Sequence, residues 1–384
     1  MFNSTLHTMI KSLPSNLLCF SHLRWDFVYQ RPQHLLSRFA QYLTVYFLEE
    51  PMFDAKGTAY LEFSNKENIM VGVPHLPEGL SAQQTNALLT QLLDQFLQPR
   101  DLDDFAFWYY SPMPLAFSDK HLPKVTIYDC MDELSAFKHA PKELTMLERK
   151  LMRKADLVFT GGHSLYEAKK QQHANIHPFP SSIDKLHFGK ARKLKQQPAD
   201  QQSIEGVKLG FYGVIDERFD IELIKGIADA RPEWQIVLIG PVVKIDPATL
   251  PRNPNIHYMG QRSYQELPGY LSGWDVALIP FAINESTKFI SPTKTPEYMS
   301  AGIPVVSTPI KDVVRPYGQK KLVHIAHTAE DFVKAIEQEL NSQEKAAWLL
   351  KADTFLANKS WDQTVDDMLH LIKKHLNSNL SIAS

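Results

Sequence analysis

The chain has 384 residues, of which 44% are hydrophobic and 22% are charged. Its length suits two domains of roughly 190 residues, and its composition excludes a disordered chain or a coiled coil. Lysine and arginine number 41 and aspartate and glutamate number 43, so the net charge is −2. A near-neutral chain has no bulk attraction to nucleic acid, and we expect no nucleic acid partner.

The chain has two cysteines, Cys19 and Cys130, which excludes a disulfide framework and a zinc site built from several cysteines. Both lie in apolar runs, where a small buried side chain is the simplest interpretation. The N-terminus is interrupted by Lys11 and Pro14, and the sequence lacks the roughly 20 apolar residues that a membrane span requires. We therefore expect a cytoplasmic protein without a signal peptide.

In the first half of the chain, short apolar runs alternate with amphipathic segments. Apolar runs between turn residues predict buried strands, and apolar residues at helical spacing predict helices. The predicted strands are 16–21, 45–48, 69–73, 105–110, 125–130, 157–160 and 176–179. The predicted helices are 31–42, 81–97, 142–155 and 164–171.

A polar, glutamine-rich segment over 189–206 interrupts this alternation and predicts a linker over 191–206. The alternation then starts again. Further strands are predicted over 207–212, 235–239, 255–259, 276–280, 304–307 and 322–325. Further helices are predicted over 221–230, 264–271, 292–300, from 329 onwards, and over 361–376.

Apolar strands separated by helices predict parallel sheets covered on both faces. Two such series predict an α/β protein with two doubly wound, Rossmann-like domains that face each other across a cleft. Ligands are expected at the carboxyl ends of the strands. We assign 1–190 to an N-terminal domain, 191–206 to a linker, 207–358 to a C-terminal domain and 359–384 to a final helical segment.

Several familiar site motifs are absent from the sequence. It contains no G-x-G-x-x-G fingerprint after a strand, no Walker A motif, no G-x-S-x-G elbow and no cluster with metal-ligand spacing. The D-x-D triplet that begins at Asp101 is suited to a divalent ion on a sugar-nucleotide diphosphate. Its position between a helix and a strand favours ordinary acidic turn residues. We expect no metal and no cofactor.

The most informative segment is 286–308, STKFISPTKTPEYMSAGIPVVST, which predicts a loop, a helix, a tight turn and a buried strand. Ser291 is expected to cap the helix, with Pro292 as its first residue. A cation, hydroxyl groups and backbone N–H groups on the first turn predict a diphosphate site without metal. They belong to Thr293, Lys294 and Thr295. Glu297, one turn further, can accept both hydroxyls of a ribose, although a capped helix with a surface lysine and glutamate explains the pattern equally well.

The run SPTKTPEYMSAGIPVVST resembles the nucleotide-binding segment of GT-B glycosyltransferases, specifically of the retaining family 4. The family pattern is a glutamate, seven residues, a second glutamate, a small-residue turn and Gly-x-Pro-Val-Val. Glu297 matches the second glutamate, which binds ribose in the family. Phe289 stands where the first glutamate contacts the transferred sugar, so Glu285 or a backbone group would have to replace that contact.

Other segments of the C-terminal half agree with this resemblance. The stretch LGFYGVIDERFDIELI resembles the first strand and loop of the nucleotide domain. There Gly213 would permit close backbone approach, and Arg218 is the candidate cation for the diphosphate. The stretches WQIVLIGP and NIHYMGQRSYQELPGYLSGWDVALIPF match the following units, which places Gln261 and Arg262 beside the base.

In the N-terminal half, HLRWDFVYQRPQHLLSRFA and VTIYDCMDELSAF resemble a subgroup that acts in bacterial surface and exopolysaccharide assembly. The first stretch is expected to present acceptor-binding residues, namely Trp25, Asp26, Arg31, Gln33 and His34. The second carries acidic residues at the end of a strand, namely Asp129, Asp132 and Glu133. Asp132 is the candidate to orient or deprotonate an acceptor hydroxyl. Competing interpretations stay open for each group. Trp25 could serve core packing, Arg31 and Gln33 could be a solvated helix start, and one of the three acidic residues could be an N-cap.

The resemblance spans roughly residues 16–376 and implies a GT-B glycosyltransferase. It implies a UDP-hexose donor, with UDP-glucose favoured by family frequency, a glycan or lipid-linked glycan acceptor, and a last helix from Trp361 that crosses back to the N-terminal domain. It also implies retention by front-face substitution, with Lys294, Arg218 and the helix N-terminus stabilising the leaving diphosphate. A basic patch suits peripheral membrane association or a solvated linker. Its residues are Lys190, Arg192, Lys193 and Lys195.

Two alternatives stay open at this point. A UDP-sugar 2-epimerase shares the fold and would need acid/base carboxylates and histidines that converge on one sugar. A non-catalytic protein that binds a sugar nucleotide or a glycan also stays open, because Phe289 stands in place of the first glutamate.

Overall fold

The structure, a computed structural model, describes residues 13–138 and 140–382. Lys11, on which the expectation of no signal peptide depends, lies outside the described residues. The chain forms two compact units. The N-terminal unit comprises the chain up to Phe179 together with the segment from Trp361, and the C-terminal unit comprises Pro180–Ser360. The expected boundary at 190 and the expected linker 191–206 therefore fall inside the C-terminal unit.

Among the described residues, the N-terminal unit is built on an eight-stranded sheet of order β3-β4-β2-β1-β5-β6-β7-β8. Its strands are β1 (Asn16–Phe20), β2 (Thr44–Leu48), β3 (Tyr60–Lys66), β4 (Ile69–His75), β5 (Phe105–Tyr109), β6 (Val125–Cys130), β7 (Leu157–Thr160) and β8 (Ile176–Pro178). Helices α1 to α5 follow as Arg31–Phe39, Ala82–Leu97, Leu115–Ser118, Leu144–Lys154 and His163–Lys169. The strand pairs are parallel except β3 with β4.

The antiparallel edge strand β3 is the one described strand that the sequence does not predict. Its side chains are partly or fully exposed, and it pairs with β4 through a tight turn in which Glu67 and Asn68 have φ of 52° and 73°. The strands are predicted from apolar runs, and an edge strand with exposed side chains does not contain such a run.

The last helix, α14 (Trp361–Ile382), is part of the N-terminal unit and packs against α1; its N-terminal residues make specific contacts there. The His34 ring stacks on Trp361, with 4.6 Å between centroids and 8° between planes. Arg38 Nε donates to Asp362 Oδ1 over 2.8 Å. Trp361 is fully buried in the core beneath α1.

The described part of the C-terminal unit contains a six-stranded parallel sheet of order β11-β10-β9-β12-β13-β14. Its strands are β9 (Lys208–Tyr212), β10 (Gln235–Ile239), β11 (Ile256–Gly260), β12 (Val276–Ile279), β13 (Val305–Ser307) and β14 (His324–Ile325). Helices α6 to α13 are Lys185–Phe188, Ala199–Gln202, Ile221–Ala230, Leu267–Leu271, Lys294–Ser300, Lys311–Val313, Ala329–Leu340 and Lys345–Leu356. The predicted α/β class with two doubly wound, Rossmann-like sheets is confirmed.

The segment expected to be a solvated linker instead packs on the C-terminal unit. Gln201 on α7 is fully buried, donates to the Tyr270 carbonyl over 2.8 Å and accepts from Trp274 Nε1 over 2.9 Å. Arg192, one of the four basic-patch residues, forms a bidentate ion pair with Asp353 at 2.7 and 2.9 Å. Polar composition indicated solvent here, but these polar groups are satisfied inside the fold.

Candidate functional site

Two loops at the carboxyl ends of neighbouring strands form the centre of the candidate site in the C-terminal unit. The chain passes from β9 to β10 and β11 on one side, and then places β12 on the other side of β9. Doubly wound sheets bind ligands where the strand order changes direction in this way. The two loops meet there, since the Ala282 N–H donates to the Arg218 carbonyl over 2.8 Å and Phe219 forms a β-bridge with Phe281.

Gly213 follows β9 directly and lies against the side chain of Lys294, the first residue of α10. Its φ of 140° belongs to a region that other residues rarely adopt. The ammonium group of Lys294 lies 5.6 Å from the ring centroid of Phe211 and 5.7 Å from that of Phe281. Aromatic faces attract a cation at such distances. The close approach that was expected at Gly213 is made in this structure by Lys294.

Glu297 lies one turn after Lys294, and its carboxylate is tied to β9. The Tyr212 hydroxyl donates a short hydrogen bond to Glu297 Oε2. Burial raises the pKa of Glu297 to about 7, although the Tyr212 hydrogen bond and the charge of Lys294 oppose the shift. Burial lowers the pKa of Lys294 to about 8, and the charge of Glu297 opposes this shift. Burial thus shifts the pKa values of the two groups towards each other, and the attraction between their charges limits the shift.

Arg218 adds a second positive charge beside Lys294. Its guanidinium forms a bidentate pair with Asp216, with Nε–Oδ1 at 3.0 Å and Nη2–Oδ2 at 2.7 Å. The Arg218 N–H also donates to Asp216 Oδ1, which fixes the turn after β9. The charge of Arg218 contributes to lowering the pKa of Lys294. Two cations, Lys294 and Arg218, and two carboxylates, Glu297 and Asp216, therefore lie close together at this edge of the sheet.

The helix that carries Lys294 begins later than expected. It runs from Lys294 to Ser300, so Thr293 and not Ser291 is its cap residue. Ser291 instead bonds to Ser181, 110 residues away. The Ser181 hydroxyl donates to the Ser291 carbonyl over 2.6 Å. Pro292 therefore precedes the helix instead of starting it. From the cap position, the hydroxyl of Thr293 bonds the carboxylate of Glu297.

The Thr295 side chain, which the sequence predicts as part of a diphosphate site, is buried, and the loop before α10 is held by its own contacts. Thr295 is fully buried, and its Oγ1 has no hydrogen-bond partner among the described residues. Phe289 is partly buried, while Glu285 is exposed and lies 3.4 Å from Lys288. Asn284 stabilises this loop, because its side-chain oxygen accepts hydrogen bonds from the backbone N–H groups of Ser286 and Thr287.

The two residues expected beside the base lie after β11. Gln261 is exposed. Arg262 is paired with Asp200 on α7, with Nη2–Oδ2 at 2.7 Å, and its Nε donates to the Tyr270 hydroxyl. The guanidinium is thus used to hold α7 against this loop, a contact that the linker interpretation did not anticipate.

In the N-terminal unit, the loop before α1 is tightly bonded to its surroundings. Trp25 is buried against Phe47 at 5.1 Å, and its N–H donates to Glu49 Oε1 over 2.7 Å. The side chain of Gln33, which is also buried, donates to the Trp25 carbonyl over 2.7 Å. Asp26 is exposed and pairs with Lys66 at 3.0 Å. Packing and capping account for Trp25 and Gln33, and Asp26 is the accessible member of this group.

Arg31 and Asp129 form a buried ion pair. Asp129 has no exposed surface, and its two oxygens accept from Arg31 Nε at 3.0 Å and Nη2 at 2.9 Å. Arg31 Nη1 also donates to the Phe179 carbonyl over 2.7 Å. Burial raises the pKa of Asp129, and the charge of Arg31 opposes this. The ion pair links the start of α1 to β6. The bond to the Phe179 carbonyl links Arg31 to the last residue of the N-terminal unit before the chain enters the C-terminal unit.

Asp132 and Glu133 follow β6 at its carboxyl end. Asp132 is partly buried, and its carbonyl lies 3.6 Å from Cys130 Sγ. Glu133 pairs with Lys169 at 2.8 Å, and Lys169 also pairs with the buried Glu148 at 2.8 Å. Glu133 is therefore fixed by a lysine on α5 that sequence reasoning did not single out.

Among residues 13–138 and 140–382, no group of three or more histidine, cysteine or acidic side chains is arranged to hold a metal ion. The D-x-D triplet has structural partners: Asp101 Oδ1 accepts from the Asp103 N–H at 3.0 Å, and the neighbouring Asp104 accepts from the Ser15 N–H at 2.8 Å. Each helix in the described part of the chain is too short or too polar to span a bilayer.

Residues 209–342 match the family model of glycosyl transferases group 1. The matched range contains the paired loops after β9 and β12 and the residues Gly213, Arg218, Lys294 and Glu297. The acceptor candidates of the N-terminal unit lie outside this range.

A relative described as a putative teichuronic acid biosynthesis glycosyltransferase, TuaH, from Bacillus subtilis (strain 168), is 27% identical over 240 residues. The alignment covers 57% of this chain and 59% of that relative, so the chain matches about three-fifths of the relative's length.

Solved structures share the fold at low sequence identity. One from E. coli, described as trehalose-6-phosphate bound with UDP-2-fluoro glucose, has a TM-score of 0.69 and 11% identity, covering 94% of this chain and 99% of that chain. Anabaena HepE in complex with UDP has a TM-score of 0.66 and 12% identity, covering 94% and 100%. The GT-B fold expected from the sequence is confirmed.

The sequence analysis does not single out Tyr212 or Asp216 in the C-terminal unit, or Lys169 in the N-terminal unit. Tyr212 falls at the end of a predicted buried strand, Asp216 in the loop that follows it, and Lys169 in a predicted helix. A polar residue at the last position of a buried strand, as at Tyr212, is the one signal that could have been noticed, because this end of a parallel sheet carries ligand sites.

Proposed function

We propose that this protein is a glycosyltransferase that transfers a hexose from a UDP-sugar to a glycan acceptor in polysaccharide biosynthesis. One observation carries the proposal: the segment that matches the glycosyl transferases group 1 model brings Gly213, Arg218, Lys294 and Glu297 to one edge of the sheet. The description of TuaH as a teichuronic acid biosynthesis enzyme supports the pathway class.

The donor in this proposal is a UDP-hexose, with UDP-glucose as the first compound to test. Lys294 and Arg218 bind the diphosphate, and Glu297 accepts the hydroxyls of the ribose. Thr293, Thr295, Gln261 and Arg262 complete the donor site, with Gln261 and Arg262 beside the base. UDP-2-fluoro glucose and UDP in two structures of the same fold support the choice of nucleotide.

The chemistry proposed is substitution at the anomeric carbon with retention, on the face that the diphosphate leaves. The bond between the anomeric carbon and the diphosphate oxygen breaks, and both of its electrons go to that oxygen. The acceptor oxygen forms the new bond and passes its proton to the departing phosphate. Lys294 and Arg218 stabilise the negative charge that develops, which is the role we assign to these cations instead of a metal ion.

The acceptor proposed is a glycan or lipid-linked glycan bound by the N-terminal unit, with the protein at the membrane surface when the acceptor is lipid-linked. Asp132 orients the attacking hydroxyl, and Asp26 is an accessible polar contact. Of the basic residues 190–195, Arg192 is paired with Asp353, so membrane attraction in this proposal depends on Lys190, Lys193 and Lys195.

A thermal-shift screen of nucleotides and nucleotide sugars, with and without divalent cations, tests the donor site. A rise in unfolding temperature with UDP and with a UDP-hexose is expected, because a ligand that binds only the folded state stabilises it. Release of UDP that requires an added glycan acceptor supports transfer. Conversion of UDP-N-acetylglucosamine without an acceptor would instead identify a 2-epimerase, and binding without turnover would identify a non-catalytic protein.

A further inference from the structure

Tyr212 occupies a fixed position at the carboxyl end of β9. Its N–H donates to Tyr298 Oη over 3.1 Å, and the two rings are T-shaped with centroids 5.1 Å apart. Its ring also lies parallel to that of Phe188, at 6.3 Å and 4°. The residue is 8% exposed. Because the Tyr212 ring packs between Tyr298 and Phe188, its position is fixed, and its hydroxyl is a hydrogen-bond donor at a fixed place.

That stationary hydroxyl donates to Glu297 Oε2. The hydroxyl of Thr293 bonds the same carboxylate, and Lys294 lies near enough for its charge to act on it. Asp184, just before α6, adds a negative charge nearby. Two hydroxyls, one of them rigid, thus determine the orientation of the Glu297 carboxylate, and each oxygen retains lone pairs for a ligand.

We infer that Tyr212 is a positioning residue that holds the Glu297 carboxylate in the orientation in which it binds the ribose of a uridine nucleotide. The inference rests on the proposed function, which gives Glu297 that role. A carboxylate that must bind a diol gains from being fixed beforehand, since the ligand then does not have to order it. Without the phenol, the carboxylate loses its rigid anchor, while the diphosphate contacts of Lys294 stay intact.

The test compares the affinities of UDP and 2′-deoxy-UDP by calorimetry. The wild-type protein is expected to prefer UDP about tenfold or more, the effect of losing one hydrogen bond to a charged group. Glu297→Gln is expected to lose most of this preference. Tyr212→Phe, which keeps the ring, is expected to reduce it to about threefold, and to change nothing further when combined with Glu297→Gln.

Tyr258→Phe is the matched control, because Tyr258 lies on β11 and its hydroxyl donates to the Pro251 carbonyl over 3.0 Å, away from Glu297. It is expected to keep the full preference. Thermal unfolding of Tyr212→Phe, with a midpoint within about 5 °C of wild type, separates lost positioning from lost folding.

Full preference for UDP in Tyr212→Phe, together with its loss in Glu297→Gln, would overturn the inference alone. Full preference in both variants would overturn the ribose role of Glu297 and the inference with it. Failure of the wild-type protein to bind UDP at all would overturn the proposed function and the inference together.

Discussion

The side chain of Lys294 crosses Gly213 so closely that a Cβ at position 213 would lie 2.4 Å from Lys294 Cε and 2.7 Å from Nζ. This contact joins the first residue of α10 to the residue that follows β9. It places the ammonium group at the point where the sheet changes direction, and it makes the position of the cation depend on the absence of a side chain at 213.

Gly213→Ala is expected to destabilise the C-terminal unit and to displace Lys294. The added methyl group meets the lysine side chain, and φ of 140° is strained for alanine. Together these effects are expected to cost about 1–3 kcal/mol in the free energy of unfolding measured in urea. UDP affinity is expected to fall as well.

Gly189→Ala is the control for this substitution, because a Cβ at Gly189 meets no atom within 4 Å and the residue has no positive φ. It is expected to change neither stability nor UDP affinity by more than about 0.5 kcal/mol. Equal effects of the two alanines would show that the contact with Lys294 has no consequence.

Lys294→Ala is expected to weaken UDP binding by about 1.5–3 kcal/mol, because it removes a charge-assisted contact to the diphosphate. Calorimetry with UDP measures the change. Lys225→Ala serves as the comparison, since Lys225 is an exposed lysine of the same unit and pairs with Asp229. Unchanged affinity in Lys294→Ala would remove this residue from the donor site.

UDP affinity is expected to fall as the pH rises from 7 to 9. Burial lowers the pKa of Lys294 to about 8, so the ammonium group loses its proton within this interval. The protonated form is the one that attracts the diphosphate, and affinity is therefore lost on the alkaline side. In Lys294→Arg, the guanidinium stays charged throughout, and the decline is expected to disappear. A decline of the same size in both proteins would assign it to another group.

Asp129→Asn is expected to destabilise the N-terminal unit by about 3–5 kcal/mol, because it leaves the buried guanidinium of Arg31 without its counter-ion. Urea unfolding measures this loss. Asp362→Asn removes the partner of Arg38 at an exposed pair and is expected to cost about 1 kcal/mol or less. A small effect at Asp129 would mean that the pair contributes little and would reopen a direct role for Asp129 with the acceptor.

Asp132→Asn is expected to leave UDP affinity unchanged and to lower the rate of transfer by about 10²-fold, the cost of a misplaced attacking hydroxyl. The rate of UDP release with an acceptor panel measures this. Asp367→Asn, an exposed aspartate on α14, is expected to have no effect. Normal turnover in Asp132→Asn would assign this residue to structure.

The sheets could be predicted because their strands are buried runs, such as 125–130, and the intervening helices have apolar residues at helical spacing. Strand β3 and the packed segment 191–206 could not be predicted in this way. The first is half exposed, and the second is polar yet satisfied by distant partners such as Trp274 and Asp353. Composition records how polar a segment is and not whether its polar groups find partners inside the fold.

The candidate site, too, could be predicted only in part from the sequence. The family resemblance assigns both Gly213 and Lys294 to the donor site, and in the structure the Lys294 side chain lies directly against Gly213. The sequence puts the helix start at Pro292, since the bond between Ser181 and Ser291 is long-range and invisible to local capping rules. The hydrogen bond from Tyr212 to Glu297 could not be predicted either, because it depends on how far α10 lies from β9.

The position of UDP in a crystal of the complex tests the central claim most directly. The account predicts that the diphosphate lies within hydrogen-bond distance of Lys294 Nζ and the Arg218 guanidinium, with the ribose hydroxyls on the Glu297 carboxylate. A nucleotide bound elsewhere, or with its diphosphate away from Lys294, would contradict the account.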